Sequence, residues 1–275
     1  MLTLQYVQNS KFWLYNQFMN YPQMERLIGI IATLRSENGC QWDREQTHKS
    51  LRPNMLEEAY EAVDAIDDGN IDNLREELGD VLLQVVLHAQ IAKDNGEFDI
   101  EDVAKELSDK LIHRHPHVFG DQKVNSTDEI LANWDKLKKE EKTNRKSVLD
   151  GISKSQSALM SAQKISKKAV KTGFEWPSIE SLKDCIKSEY KEFEEAVESG
   201  DKDLMEDEMG DIFFATVNLA RWYKIDAEQA LLRANKKFTK RFRKMEELAT
   251  KPLEDYTFEE YDNLWKRSKL ALNQE

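Results

Sequence analysis

Two cysteines in 275 residues, Cys40 and Cys185, are too few and too far apart to be a disulfide framework. Their scarcity fits a reducing compartment, and a cytoplasmic location is expected. No apolar run approaches the roughly 20 residues that a membrane-spanning helix needs. The opening stretch MLTLQYVQNSKFWLYNQFMNYPQMERL has aromatic residues but no basic region leading into an apolar segment and a small-residue cleavage site. It reads as a short extension over residues 1–23, with Met19 and Met24 as alternative starts. Positive charge is also in deficit: the net charge of −12 argues against indiscriminate attraction to nucleic acid or an anionic membrane. Proline and glycine are sparse, at five and ten residues, whereas 33% of the chain is charged. With so few helix breakers, the composition predicts an all-α fold of long helices and short connections.

What the chain does have is itself, twice. Residues 57–80 read EEAYEAVDAIDDGNIDNLREELGD, and residues 188–211 read SEYKEFEEAVESGDKDLMEDEMGD. Glu58 matches Glu189, and Asp80 matches Asp211, at one common shift (189 − 58 = 131; 211 − 80 = 131). Glu61 and Glu192, Glu77 and Glu208, Gly79 and Gly210, and Trp134 and Trp265 obey the same shift. Upstream, GCQWD at 39–43 echoes GFEWP at 173–177; downstream, SDKLIHRH at 108–115 echoes NKKFTKRF at 235–242. The chain is therefore read as two tandem modules, 24–145 and 146–275, joined within the polar stretch 138–157.

Each module begins as a helical hairpin. In the first, Met55, Ala59, Ala62, Val63 and Ile66 recur at three- and four-residue spacing, which predicts a core-facing stripe. Asp67–Asn70 predicts the turn, Asp72 the cap of the next helix, and Asn95–Gly96 its end. The second hairpin is expected from Leu182 to Tyr223, turning at Ser199–Asp201.

Like charges one helical turn apart cost a few tenths of a kcal/mol per pair, so the crowded acids need a reason. Glu58 and Glu61 lie about 60° apart around a helix axis, as do Glu77 and Asp80 on the next helix. Antiparallel packing would bring these four carboxylates face to face, a set of hard oxygen ligands suited to Mg²⁺ or Mn²⁺. Solvated helix surface is the ordinary explanation, and it suffices for Asp64, Asp67 and Glu76. It fits Asp80 and Asp211 poorly, because LGDVLLQVV and MGDIFFATV surround them with apolar residues and predict partial desolvation. It also gives no reason for the same four positions to recur in both modules.

Opposite charge is concentrated in one place. In RANKKFTKRFRKMEE, Lys237, Arg241 and Lys244 share a helix face, which suits either solvent, a nucleic-acid patch or a phosphate chain. The histidine-rich HRHPHVFGD holds three of the five histidines, but Pro116 breaks any metal-ligand spacing and a locally packed turn is expected.

The EExxE run Glu57-Glu58-x-x-Glu61, the ExxD run Glu77-x-x-Asp80, GCQWD and RHPHVFGD together closely resemble the MazG family, over about residues 24–270. That family comprises all-α nucleoside triphosphate pyrophosphohydrolases related to dimeric dUTPases and phosphoribosyl-ATP pyrophosphohydrolases. The resemblance implies metal ligands at Glu58, Glu61, Glu77 and Asp80, and at Glu189, Glu192, Glu208 and Asp211. The second set is the expected catalytic one, since the C-terminal copy is active in two-copy members. Ser188 departs from the pattern, standing where the first copy has Glu57. The resemblance further implies triphosphate contacts at Lys237 and Arg241, with Lys110 and Arg114 as first-copy counterparts, and a nucleotide-contacting Trp at or near Trp265. It implies a Mg²⁺-dependent (or Mn²⁺-dependent) homodimer that converts NTPs and dNTPs to monophosphate and pyrophosphate, and a regulatory GTPase is a candidate partner. Glu192, Glu175 and Asp207 are the acids available as a general base. The rival readings are a dUTP- or phosphoribosyl-ATP-specific hydrolase and a non-catalytic helical scaffold.

Overall fold

The computed structural model describes residues 21–141 and 146–273; residues 1–20, most of the expected N-terminal extension, and residues 142–145 of the expected junction lie outside the described residues. No strand occurs among the described residues. The chain divides into two units, Met1–Thr143 and Asn144–Glu275.

The first unit contains α1 (Pro22–Leu34), α2 (Gln41–Glu45), α3 (Arg52–Asp68), α4 (Ile71–Asp94), α5 (Ile100–Arg114), α6 (Pro116–Phe119) and α7 (Thr127–Glu140). Helix α4 is its centre: α1, α3 and α5 all pack on it, and α5 carries α6 and α7. The core is Ile31, Leu51, Val86, Leu87 and Ile91, with Leu27, Leu83 and Ile100 closing around it. Gly39 is forced at the bend after α1, because a Cβ there would meet the Leu34 carbonyl oxygen at 2.2 Å.

The α3–α4 turn is set by Gly69, whose φ of 66° is a left-handed conformation that costs glycine little. That turn leaves Asn70 extended, so Asn70 rather than the expected Asp72 caps α4, accepting a hydrogen bond from the Asn73 amide. Asp72 sits inside the first turn, where its charge complements the helix dipole.

The inward stripe of α3 also differs from the sequence expectation. Ala59 and Ile66 are exposed, Ile66 by 59%. The line facing α4 runs instead through Leu51, Met55, Glu58, Ala62 and Ala65, rotated by roughly 60° about the axis. The small side chains of Ala62 and Ala65 let α4 approach closely, which a branched residue at Ile66 would not. This rotation places Glu58 on the packed side of the helix.

The second unit contains α8 (Ala158–Val170), α9 (Ile179–Ser199), α10 (Lys202–Trp222), α11 (Ala227–Leu248), a 3₁₀ turn (Leu253–Asp255) and α12 (Phe258–Leu272). Ser157, Ser178, Asp201, Asp226 and Thr257 cap the five helices through their side-chain oxygens. Here α10 is central, packing against α8, α9 and α11, and α12 packs on α11. Gly200 closes the α9–α10 turn with φ 72°, matching Gly69. The inward line of α9 is the first unit's line shifted by 131: Leu182, Ile186, Glu189, Phe193 and Ala196.

Unlike the first core, this one is partly polar. Buried Ser166 donates to Asn218 Oδ1 at 2.6 Å. Gln163 donates to the Ile225 carbonyl at 2.6 Å and accepts from the Ala227 amide at 3.1 Å, which pins the corner between α10 and α11.

Candidate active site

Glu58 descends from α3 and Glu77 and Asp80 from the facing side of α4, so that one oxygen of each lies within 4.8 Å of the others. The second unit repeats the arrangement with Glu189 on α9 and Glu208 and Asp211 on α10. These two are the only such acidic or histidine-containing groups among the described residues, so the turn at His113–His117 holds none. That turn packs locally, with His115 Nδ1 2.7 Å from the Leu111 carbonyl. In each module three of the four expected carboxylates lie mutually close, and the fourth adjoins them. Glu61 and Glu192 are exposed; Glu61 shares a side-chain hydrogen bond with Glu77, and the charge of Glu192 is the strongest acting on Glu208.

Burial and neighbouring negative charge raise the proton affinity of Glu58, Glu77 and Glu208. Burial, then the charges of Asp80, Glu61 and Glu57, push the Glu58 carboxyl above the usual carboxylate range, partly offset by a hydrogen bond from Gln84. Glu77 is raised by burial, then by Glu61, Glu76 and Asp80. Glu208 is raised by burial, then by Glu192, Asp211, Glu189 and Asp207.

Asp211 itself departs from expectation. It was predicted to be partly desolvated, yet it is exposed. Helix α10 is apolar on more than one side; Ile212, Ala215, Val217 and Asn218 are buried within the unit, and Asp211 lies beside residues that are not. Phe213 and Phe214, beside Asp211, remain 58% and 38% exposed.

The donor set fits a hard divalent cation. An octahedral ion with oxygens at about 2.1 Å holds neighbouring ligands roughly 3 Å and opposite ones roughly 4.2 Å apart, so small rotamer changes close the observed spacing. Every donor in both clusters is oxygen, and in the first module the buried Gln84 leaves its own Oε1 without a partner beside Glu58. Cys185 in the second module does not alter this. Its thiol donates to Glu189 Oε1 at 3.3 Å and is pushed up to about 11 by burial, then by the Glu189 hydrogen bond and the acidic charges. It remains a neutral thiol.

Three residues acquire meaning only from the structure. Gln84 has no acid–base signature, and Cys185 gave no signal beyond its rarity. Ser188, read as a departure from the pattern, donates to Glu192 Oε1 at 2.8 Å and fixes that exposed carboxylate at the edge of the cluster. Its spacing of four from Glu192 was the available clue.

The other base candidates fare differently. Glu175 is engaged by both terminal nitrogens of Arg221 at 2.6 Å. Burial opposes its ionisation, but the bonds from Arg221 and the Trp176 amide outweigh this and hold Glu175 below the usual range. That removes it as a proton acceptor. Asp207 is exposed and touches the site only through its charge on Glu208.

Among the cations, Lys237 is exposed and Lys244 is taken by Glu247 at 3.1 Å. Arg241 lies over the Trp265 ring, 4.8 Å from its centroid, with Phe238 at 5.3 Å from the same ring. No hydrogen bond or ion pair joins Lys237 or Arg241 to a carboxylate among the described residues.

Comparison with known proteins bears on the same residues. The model of the MazG nucleotide pyrophosphohydrolase domain matches residues 46–119 and 177–245, which span the two acidic hairpins. The nucleoside triphosphate pyrophosphohydrolase/pyrophosphatase MazG of Thermotoga maritima is 46% identical over 249 residues, covering 89% of this chain and 95% of that protein. The nucleoside triphosphate pyrophosphohydrolase of Escherichia coli K12 is 44% identical over 258 residues, covering 90% of this chain and 97% of that protein. A solved mazG-related protein from Thermotoga maritima is 31% identical, covers 42% of this chain and 98% of its own, and superposes with a TM-score of 0.37. With the domain matched at both hairpins and relatives aligned nearly end to end, the chain belongs to the MazG family of nucleotide pyrophosphohydrolases.

Proposed function

We propose that this chain hydrolyses nucleoside triphosphates to nucleoside monophosphates and pyrophosphate, and that its second module carries the reaction. The observation that supports this assignment is the pairing there of the acidic trio with Glu192 held by Ser188 and with Arg241 mounted on Trp265. Glu189, Glu208 and Asp211 would hold Mg²⁺, with Mn²⁺ as a substitute, as Glu58, Glu77 and Asp80 would in the first module. When bound, the cation supplies Lewis acidity toward the phosphate oxygens.

The chain's own residues do the rest. Glu192, held by Ser188 beside the trio, accepts the proton of the attacking water. Glu61 is its first-module counterpart. Arg241 donates to phosphate oxygens from a plane set by the Trp265 indole, and Lys237 one turn earlier adds charge. The triphosphate spans the carboxylate and cationic ends, which make no direct contact of their own. Trp265 retains the remainder of its indole for the base.

The chain acts as a homodimer in this reading. Tyr190, Val197, Leu204 and Phe213 on α9 and α10 are 55%, 50%, 41% and 58% exposed, apolar surface that a second copy covers. Sedimentation at assay concentration tests this, and a monomer sinks it.

Pyrophosphate release from the eight common NTPs and dNTPs with Mg²⁺ is the direct test of activity. Turnover of several of them supports the assignment; turnover of dUTP alone favours the narrow hydrolase. No release from any, by folded and Mg²⁺-supplied protein, overturns it.

The acidic clusters also predict a pH-dependent response to the cation. Folded-state carboxyls raised above their unfolded values contribute stability that is complete below the unfolded value and lost as pH rises through the folded one. At neutral pH the cation-free clusters therefore oppose folding, and Mg²⁺ relieves them. The increase in Tm on adding Mg²⁺ is expected to be full at pH 7–8 and to shrink toward pH 5, where protons compete for Glu58, Glu77 and Glu208. An increment that does not change across this range counts against cation binding at these carboxylates.

A further inference from the structure

The two modules treat matching arginines differently. In the second, Arg241 lies over Trp265 and has no carboxylate partner among the described residues. In the first, Arg114 lies over Trp134, 5.7 Å from its centroid, but its guanidinium is also gripped by Glu141. Arg114 Nε donates to Glu141 Oε1 at 3.0 Å and Nη2 donates to Oε2, a two-pronged charge-assisted pair. The Arg114 side chain is 11% exposed and that of Glu141 25%, with Glu141 at the surface. Two further basic side chains stand nearby: His113 Nε2 lies 3.9 Å from Glu141 Oε1, and Lys138 Nζ lies 5.0 Å from the Trp134 centroid.

The asymmetry is written at one position. Glu141 directly follows α7, and the shift that relates Trp134 to Trp265 carries it to Leu272 (141 + 131 = 272), the last residue of α12. The first module therefore has a carboxylate where the second has a hydrocarbon.

We propose that Glu141 is an internal anion that fills the phosphate subsite of the first module, keeping polyphosphates out of that module while the second stays open. This rests on the reading that Arg241 and its counterpart Arg114 face phosphate. A carboxylate and a phosphate present the same pair of oxygens to an arginine fork, so only one can hold it at a time. A triphosphate reaching the first module must first displace Glu141 from Arg114.

Calorimetric titration of the full chain with inorganic tripolyphosphate in Mg²⁺ tests this. Wild type is expected to bind one equivalent per chain, Glu141→Gln two, and Glu141→Gln with Arg114→Ala one again. A folded Glu141→Gln that binds as wild type does overturns the proposal, as does wild type binding two equivalents with equal affinity.

The reverse substitution gives an independent arm that does not depend on the first module's fold. Leu272→Glu places a carboxylate at the matching position of the second module and is expected to raise KM for a nucleoside triphosphate about tenfold, with kcat unchanged. An unaltered KM in folded protein counts against the latch. The two readings also fail separately: wild type binding nothing removes the phosphate role of Arg241, whereas a site gained in Glu141→Gln upholds the latch on Arg114.

Discussion

Glu208→Gln is expected to lower pyrophosphate release by at least roughly 100-fold while raising the Tm of the cation-free protein. Glutamine keeps the shape of Glu208 but neither its charge nor its capacity as an anionic ligand. Glu208 lies within 4.8 Å of Glu189 and Asp211 and feels Glu192 most strongly among its charged neighbours. Removing its charge therefore takes away one of three cation-holding groups and, at the same time, the desolvation and repulsion that raise its proton affinity. Activity falls because the site loses its ion; stability rises because the fold no longer holds carboxylates together against their charge. The opposite signs matter, since a merely damaged fold would lose both. Glu77→Gln, the same change in the first module, is expected to leave most of the turnover in place. Equal loss in both variants would move the reaction out of the second module alone.

Leu182→Ala is expected to destabilise the second unit by about 2–5 kcal/mol. Leu182 is fully buried at 0% exposure, in the first turn of α9 after its Ser178 cap. Truncation removes the transfer free energy of the lost methyls and leaves a cavity that flanking helices fill only in part. The change also reaches the site, because Glu189 lies two turns farther along the same packed line. Urea unfolding followed by the fluorescence of Trp176, Trp222 and Trp265 measures the cost. A loss under about 1 kcal/mol would mean that α9 is anchored elsewhere. Leu51→Ala is the matched experiment in the first unit, where Leu51 is 1% exposed within the cluster of Ile31, Val86, Leu87 and Ile91.

Much of this molecule is decided by local sequence. A scarcity of glycine and proline made helices the only reasonable elements, and Gly69 and Gly200 closed both hairpins where a left-handed residue was needed. The i, i+3 spacing of Glu77 with Asp80 and of Glu208 with Asp211 aims each pair at one point whatever else the chain does. The common shift of 131 residues then required both hairpins to fold alike. These features are legible because they depend on backbone geometry within a few residues.

Tertiary packing settled the rest. Periodicity identifies an apolar stripe, but α3 carries overlapping stripes, and only the close approach of α4 to Ala62 and Ala65 chose the one containing Glu58. The same choice set Glu61 and Glu192 at the exposed edge of the clusters, Glu61 against Glu77 and Glu192 beside Glu208. Asp211 is exposed because α10 has more apolar surface than its own unit covers. The pairings that fix the arginines span 46 residues for Arg221 with Glu175 and 27 for Arg114 with Glu141, beyond any helical repeat. A sequence sets the direction of a side chain about its own helix axis, whereas its partner depends on the free energy of packing helices that the sequence does not order in space.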